Sequence, residues 1–180
     1  LSAIELHQQL QRLDEALALA NTLATRPMQP GQRLQWHVRM GAVRLAKGEP
    51  GSAKDAFEQA LASTDVGVRQ AAFNGLGDAA LMQGQQPEAV TRYQEAITAS
   101  AASPGALYAK YQLGRVKLHS GQADEAAVVF RELLGQSSVM SDPALSMDVR
   151  LALAFVAIAQ RDPERARSEL DELRKIAYSG

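Results

Sequence analysis

The stretch AAFNGLGDAALMQGQQPEAVTRYQEAI, residues 71–97, decides the fold. Phe73, Leu76, Gly77, Ala80 and Leu81 recur at helical spacing, and beyond Gly84 and Pro87 a second set does the same: Ala89, Tyr93, Ala96 and Ile97. Gly84 stands where the first helix must stop, a position that takes the left-handed conformation open to glycine. Pro87 stands where the next helix starts and a backbone N–H is dispensable. The reading is helix, turn, helix. The same arrangement occurs upstream as Met40, Gly41, Gly48, Ala53, Phe57, Ala60 and Leu61, and downstream as Leu113, Gly114, Gly121, Ala126, Phe130, Leu133 and Leu134. A weaker copy begins at Leu153-Ala154, so that successive copies are offset by 36, 37 and 40 residues. A period in this range, filled by two helices each time, marks a solenoid of stacked helical hairpins.

The physical reason is steric. A glycine inside a helix costs about 1 kcal/mol relative to alanine, so Gly41, Gly77 and Gly114 imply close helix packing that returns at least as much. All seven prolines fall between the helices or in their first turns. Ser103-Pro104, Asp142-Pro143 and Asp162-Pro163 each read as an N-cap followed by the first helical residue. Helices are therefore expected near 2–10, 12–24, 31–47, 50–63, 67–83, 86–101, 104–120, 123–137, 143–160 and 163–177. Thr25 to Pro30 and Ser137 to Asp142 are read as turns between repeats. Ten helices make five hairpins in one array, 1–180, divided as 1–30 (degenerate), 31–66, 67–102, 103–140 and 141–180 (degenerate).

Composition narrows the function classes. The apolar fraction of 46% suffices for a continuous core, and the formal net charge of −1, with both signs mixed along the chain, leaves no electrostatic footprint for nucleic acid. The longest apolar run, Val149 to Ala159, contains Arg150 and falls short of the roughly 20 residues that cross a bilayer, so direct membrane insertion is not expected. Without cysteine there is no disulfide or thiol chemistry, and compartment is left open between bacterial periplasm and cytoplasm. The chain begins at Leu1 without a basic and apolar leader, which reads as a segment of a longer protein. Abundant Ala, Gln and Arg point to a bacterial source.

The residues quoted resemble the tetratricopeptide repeat: Leu-Gly at its seventh and eighth positions, Gly at the fifteenth, Ala at the twentieth and an aromatic at the twenty-fourth. The match runs from about Gln32 to Ala177, and Leu13, Ala16, Ala20 and Leu23 extend it toward the N-terminus. Departures are His37 and Lys110 at the fourth position, and Ala154, Arg161 and Leu170 in the last repeat, whose turn geometry the substitution of Arg161 for glycine calls into question. The resemblance implies an all-α, right-handed superhelical solenoid of about five antiparallel hairpins with a concave groove that receives ligands. It also implies which residues face that groove. In the third repeat these are Tyr108, Tyr111, Arg115, Leu118 and His119; in the second they include Asn74 and Asp78; in the fourth, Asp148, Leu151, Phe155 and Ile158.

Tyr108, Tyr111 and Arg115 follow one another at three and four residues and share a helical face, with Asn74 and Asp78 as the matching pair on the preceding repeat. These five residues form the expected partner-binding site, since tyrosine and arginine dominate contact energies at interfaces. The alternative is that the tyrosines pack between helices and Asp78 pairs with Arg115. The family's two-carboxylate clamp, with lysine and asparagine at the fifth and ninth positions, is not reproduced: Val38 and Ala42 stand there. No catalytic constellation, metal site or cofactor is expected, because His7, His37 and His119 lack ligand spacing and no phosphate-binding or nucleophile motif occurs. The expected function is a non-enzymatic scaffold that binds a protein or peptide, set in an envelope secretion or exopolysaccharide-export assembly. The alternative setting is the regulatory arm of a transcriptional activator, and exposed array ends allow a homodimer.

Overall fold

A computed structural model describes residues 13–101 and 103–178. Ten helices occur among them: α1 (Leu13–Ala24), α2 (Pro30–Ala46), α3 (Pro50–Ala60), α4 (Val66–Met82), α5 (Gln86–Ala99), α6 (Pro104–His119), α7 (Ala123–Leu134), α8 (Ser137–Met140), α9 (Pro143–Ala159) and α10 (Pro163–Tyr178). The described residues contain no strand, and none of their helices is long and apolar enough to cross a membrane. The helix expected near 2–10, and with it His7, lies outside the described residues. The chain divides into two compact units, which break at Ala106 and Leu107 inside α6.

In the first unit the hairpins α2–α3 and α4–α5 stack in sequence, with α3 packed on α4 and α2 also touching α4. The expected steric device is present. A Cβ added at Gly41 would lie 2.7 Å from the Phe57 ring, and one at Gly77 would lie 2.5 Å from that of Tyr93. In the second unit a Cβ at Gly114 would meet Phe130 at 2.6 Å. Each of these three repeats thus presses its aromatic onto the glycine of its own first helix. Phe57 does more, because its ring also lies against Gly75 on the next hairpin, where a Cβ would overlap it. Burial of all three aromatic rings is essentially complete.

The turns within the hairpins are built alike. Gly48, Gly84 and Gly121 adopt φ of 77°, 72° and 77°, and each closes its helix with the paired hydrogen bonds of a Schellman turn. At Gly84 these run from its N–H to the Leu81 carbonyl (3.0 Å) and from the Gln85 N–H to the Ala80 carbonyl (2.8 Å). Arg161 takes the same place in the last hairpin. It adopts φ of 58° and keeps both bonds, at 3.0 Å to the Ile158 carbonyl and, from Asp162, 2.9 Å to that of Ala157. The turn geometry survives with arginine in a conformation that costs L-residues about 1–2 kcal/mol.

The three expected N-caps form: Ser103 Oγ accepts from the Ala106 N–H at 3.1 Å, Asp142 Oδ1 from Leu145 at 3.1 Å and Asp162 Oδ1 from Arg165 at 3.0 Å. The segment from Ser137 to Asp142 differs from the simple turn expected. It makes one helical turn, α8, which drives Val139 fully into the core formed by α7 and α9. An apolar side chain in a polar connection had somewhere to go, and burying it orders the backbone around it.

Candidate functional site

The second unit holds a groove whose walls are α6 and α9. Its core, Leu107, Phe130, Val149, Leu153 and neighbours, fixes both helices by their inner faces. Gly114 faces Phe130, and Tyr111 and Leu118, about one turn of α6 to either side, pack partly on the same core while lining, with Arg115, a depression at its edge. On α9, Leu151, Phe155 and Ile158 occupy one stripe at spacings of four and three. Between the two helices lies an apolar depression of about 540 Å³ lined by these residues and by His119. Leu151, Phe155 and Ile158 remain 43%, 54% and 59% exposed, a heavy display of aliphatic and aromatic surface for a folded chain.

Tyr111 is half-buried, with its ring tilted against Phe130 at a centroid separation of 5.8 Å. Burial, aided by the carboxylate of Asp148, pushes its hydroxyl above the usual tyrosine range, and Arg115 works against them. The Arg115 guanidinium carbon lies 6.0 Å from the centre of that ring, and its Nη1 donates to Gln112 Oε1 at 3.1 Å. Contact at this range is a weak cation–π attraction. His119 is exposed at the end of the helix, its Nδ1 2.8 Å from the Arg115 carbonyl. Tyr108 is exposed on the same helix.

Asn74 and Asp78 lie in the first unit and serve the hairpin stack. Asn74 is buried and donates from Nδ2 to the Gly105 carbonyl at 2.9 Å, while its Oδ1 is buried without a partner. Asp78 Oδ1 accepts from the Tyr93 hydroxyl at 2.6 Å. Beside them, Gln70 donates to the carbonyls of Ala96 (2.7 Å) and Ser100 (3.0 Å) and accepts from Ser103 Oγ at 2.6 Å. This buried polar cluster ties the connection after α5 to α4. Buried polar groups left unmatched cost about 1–3 kcal/mol each, so the cluster fixes one geometry.

The structure therefore brings Tyr111 and Arg115 together with the α9 stripe. The spacing argument that selected the α6 residues passed over Leu151, Phe155 and Ile158, although their register already placed them on the groove side. A usable signal was present: α9 reads VRLALAFVAIA, apolar on more faces than one core contact can cover. No cluster of three or more His, Cys, Asp or Glu suited to a metal occurs among the described residues. His37 packs edge-on to Trp36 at 4.9 Å, and burial, then Arg33 and Arg44, hold its imidazole below the usual histidine range.

Comparison with known proteins places this arrangement. The tetratricopeptide repeat profile matches residues 38–106 and 87–141, more than half of the chain. No curated protein matches the sequence. Among solved structures, the Rap conjugation gene regulator of plasmid pLS20, in complex with the Phr* peptide, superposes with a TM-score of 0.81 at 14% identity over 98% of this chain and 52% of its own. BtubC from P. vanneervenii gives 0.77 at 19% identity, over 98% and 77%. YrrB, a TPR protein with an unusual peptide-binding site, gives 0.60 at 22%, over 96% and 82%. With the profile matched and the glycine-aromatic pairs in place, the chain belongs to the tetratricopeptide repeat family.

Proposed function

We propose that the chain is a protein-interaction scaffold and that the groove between α6 and α9 receives a peptide or helical segment of its partner. One observation carries the reading: Leu151, Phe155 and Ile158 leave about half of their surface in solvent, across a depression from Tyr111 and Leu118. Burying such side chains yields about 25 cal/mol per Å², so an apolar ridge laid along the groove has a ready driving force. Peptide binding by two proteins of the same fold, the Rap regulator and YrrB, supports the choice of ligand class. Tyr111 and Arg115 supply polar contacts in the groove, with Tyr108 exposed on the same helix. The setting we propose is a segment of a larger bacterial protein, in an envelope secretion or exopolysaccharide-export assembly. The flanking sequence distinguishes this from the regulatory arm of a transcriptional activator.

The test is selection of a random 12-residue phage-displayed library on the protein, with titration of the enriched peptides against Phe155→Asp. Phe155 is more than half exposed, so the variant keeps its helical circular dichroism. Truncating or charging a central anchor costs about 2 kcal/mol or more, which is roughly a 30-fold loss of affinity. Peptides that bind both proteins equally overturn the groove assignment.

A further inference from the structure

The groove is apolar along its length but not electrically neutral. Helix α6 carries Lys110, Arg115 and Lys117 and no carboxylate. Lys117 is taken up by Glu125 of α7, so it is turned away from a ligand. Arg115 is not: it lines the groove, donates to a neutral amide, and has no carboxylate within ion-pair distance among the described residues. On the facing helix, Arg150 is bound to Glu169 at 3.1 Å, which leaves Asp148 as the other charge of α9. Asp148 precedes Leu151 by one turn, at the N-terminal end of the stripe, on the side of Tyr111. Arg115 and His119 line the depression together with Phe155 and Ile158.

We infer that the segment bound in this groove is an acidic one, a short apolar ridge with a carboxylate beside it that is set against Arg115. This rests on the groove assignment above and adds the sign and position of the ligand's charge. The guanidinium is held near Tyr111 and by its bond to Gln112, and its remaining N–H donors match a carboxylate in two-pronged fashion. A basic segment in the same place meets an unneutralised cation at the edge of a low-dielectric surface, where like charges are penalised.

The experiment is the same 12-residue library, selected in parallel on wild type, Arg115→Glu and Phe155→Asp at low and at high salt. The expected result for wild type is enrichment of Asp and Glu next to bulky apolar residues. Selected peptides weaken at least tenfold on Arg115→Glu, which in turn enriches Lys and Arg. High salt narrows the difference, as a rim charge requires. Apolar peptides without charge bias, or an acidic bias that persists on Arg115→Glu, overturn this inference and leave the groove assignment standing. Selection indifferent to Phe155→Asp overturns both.

Discussion

Substituting Gly75 by alanine tests the packing of the α2–α3 hairpin on α4. Phe57 is 2% exposed and its ring lies between two helix backbones, each presenting a glycine, Gly41 on α2 and Gly75 on α4. A Cβ at Gly41 would stand 2.7 Å from the ring and one at Gly75 closer still, whereas carbon atoms pack comfortably at about 3.5–4.0 Å. The ring cannot retreat from one helix without entering the other. Alanine gains about 1 kcal/mol over glycine in helix propensity. Overpacking of a core costs about 1–3 kcal/mol, and the deficit here, roughly 1 Å or more, belongs in the upper part of that range. The expected outcome for Gly75→Ala is net destabilisation of about 1–2 kcal/mol in urea unfolding followed by circular dichroism. Gly51→Ala on α3, with no atom within 4 Å of its Cβ, is the control and comes out neutral or stabilised. Because the conflict is with one ring, Phe57→Leu relieves it, and the double variant is more stable than the sum of the singles by about 1 kcal/mol. Gly75→Ala as stable as the parent, or strict additivity with Phe57→Leu, refutes the reasoning.

Arg161→Gly stabilises by about 0.5–1 kcal/mol in the same unfolding assay, since glycine removes the left-handed penalty and keeps both turn hydrogen bonds, less its own entropy cost. The Glu88 carboxyl is held below its usual range first by the hydrogen bond from Lys54, which reaches across hairpins at 3.0 Å. A depressed folded pKa means that its contribution is present above the unfolded carboxylate pKa of about 4.3 and is lost as pH falls through the folded value. Glu88→Gln therefore flattens the acid limb of the stability profile and leaves the neutral region's pH dependence alone. Spectrophotometric titration finds Tyr111 ionising above the ordinary tyrosine range, and Asp148→Asn brings it down by removing one of the two raising influences.

Much of the architecture was legible because it is enforced by shape. Gly41, Gly77 and Gly114 advertise a close approach, and Phe57, Tyr93 and Phe130 sit at the one offset that fills it. Gly75 and Gly105 carry no such periodic mark: their need for a missing Cβ comes from Phe57 and Gln70, residues distant in the chain. The short helix α8 escaped notice because Ser-Ser-Val-Met has no period to display, and it is the core that claims Val139. Arg161 shows the reverse, a turn preserved by its hydrogen bonds after the residue that favours it has gone.

The site was half legible. Side-chain type and spacing on α6 singled out Tyr111 and Arg115, which do line the groove. On α9 the groove residues are chemically the same as the core residues between them, so hydrophobicity alone could not say which faced solvent. Only the packing of Val149, Leu153 and Val156 inward separates them from Leu151, Phe155 and Ile158. Asn74 and Asp78 illustrate the converse difficulty, since a polar side chain at a groove register also serves the fold when a carbonyl or a tyrosine hydroxyl comes within reach.

The groove itself is tested most directly by recording the Phe and Tyr ring resonances of the isotope-labelled protein while a library-selected peptide is titrated in. The account predicts that Phe155 and Tyr111 shift in proportion to occupancy while the enclosed rings of Phe57 and Tyr93 stay in place. Saturable binding with Phe155 and Tyr111 unmoved would contradict it.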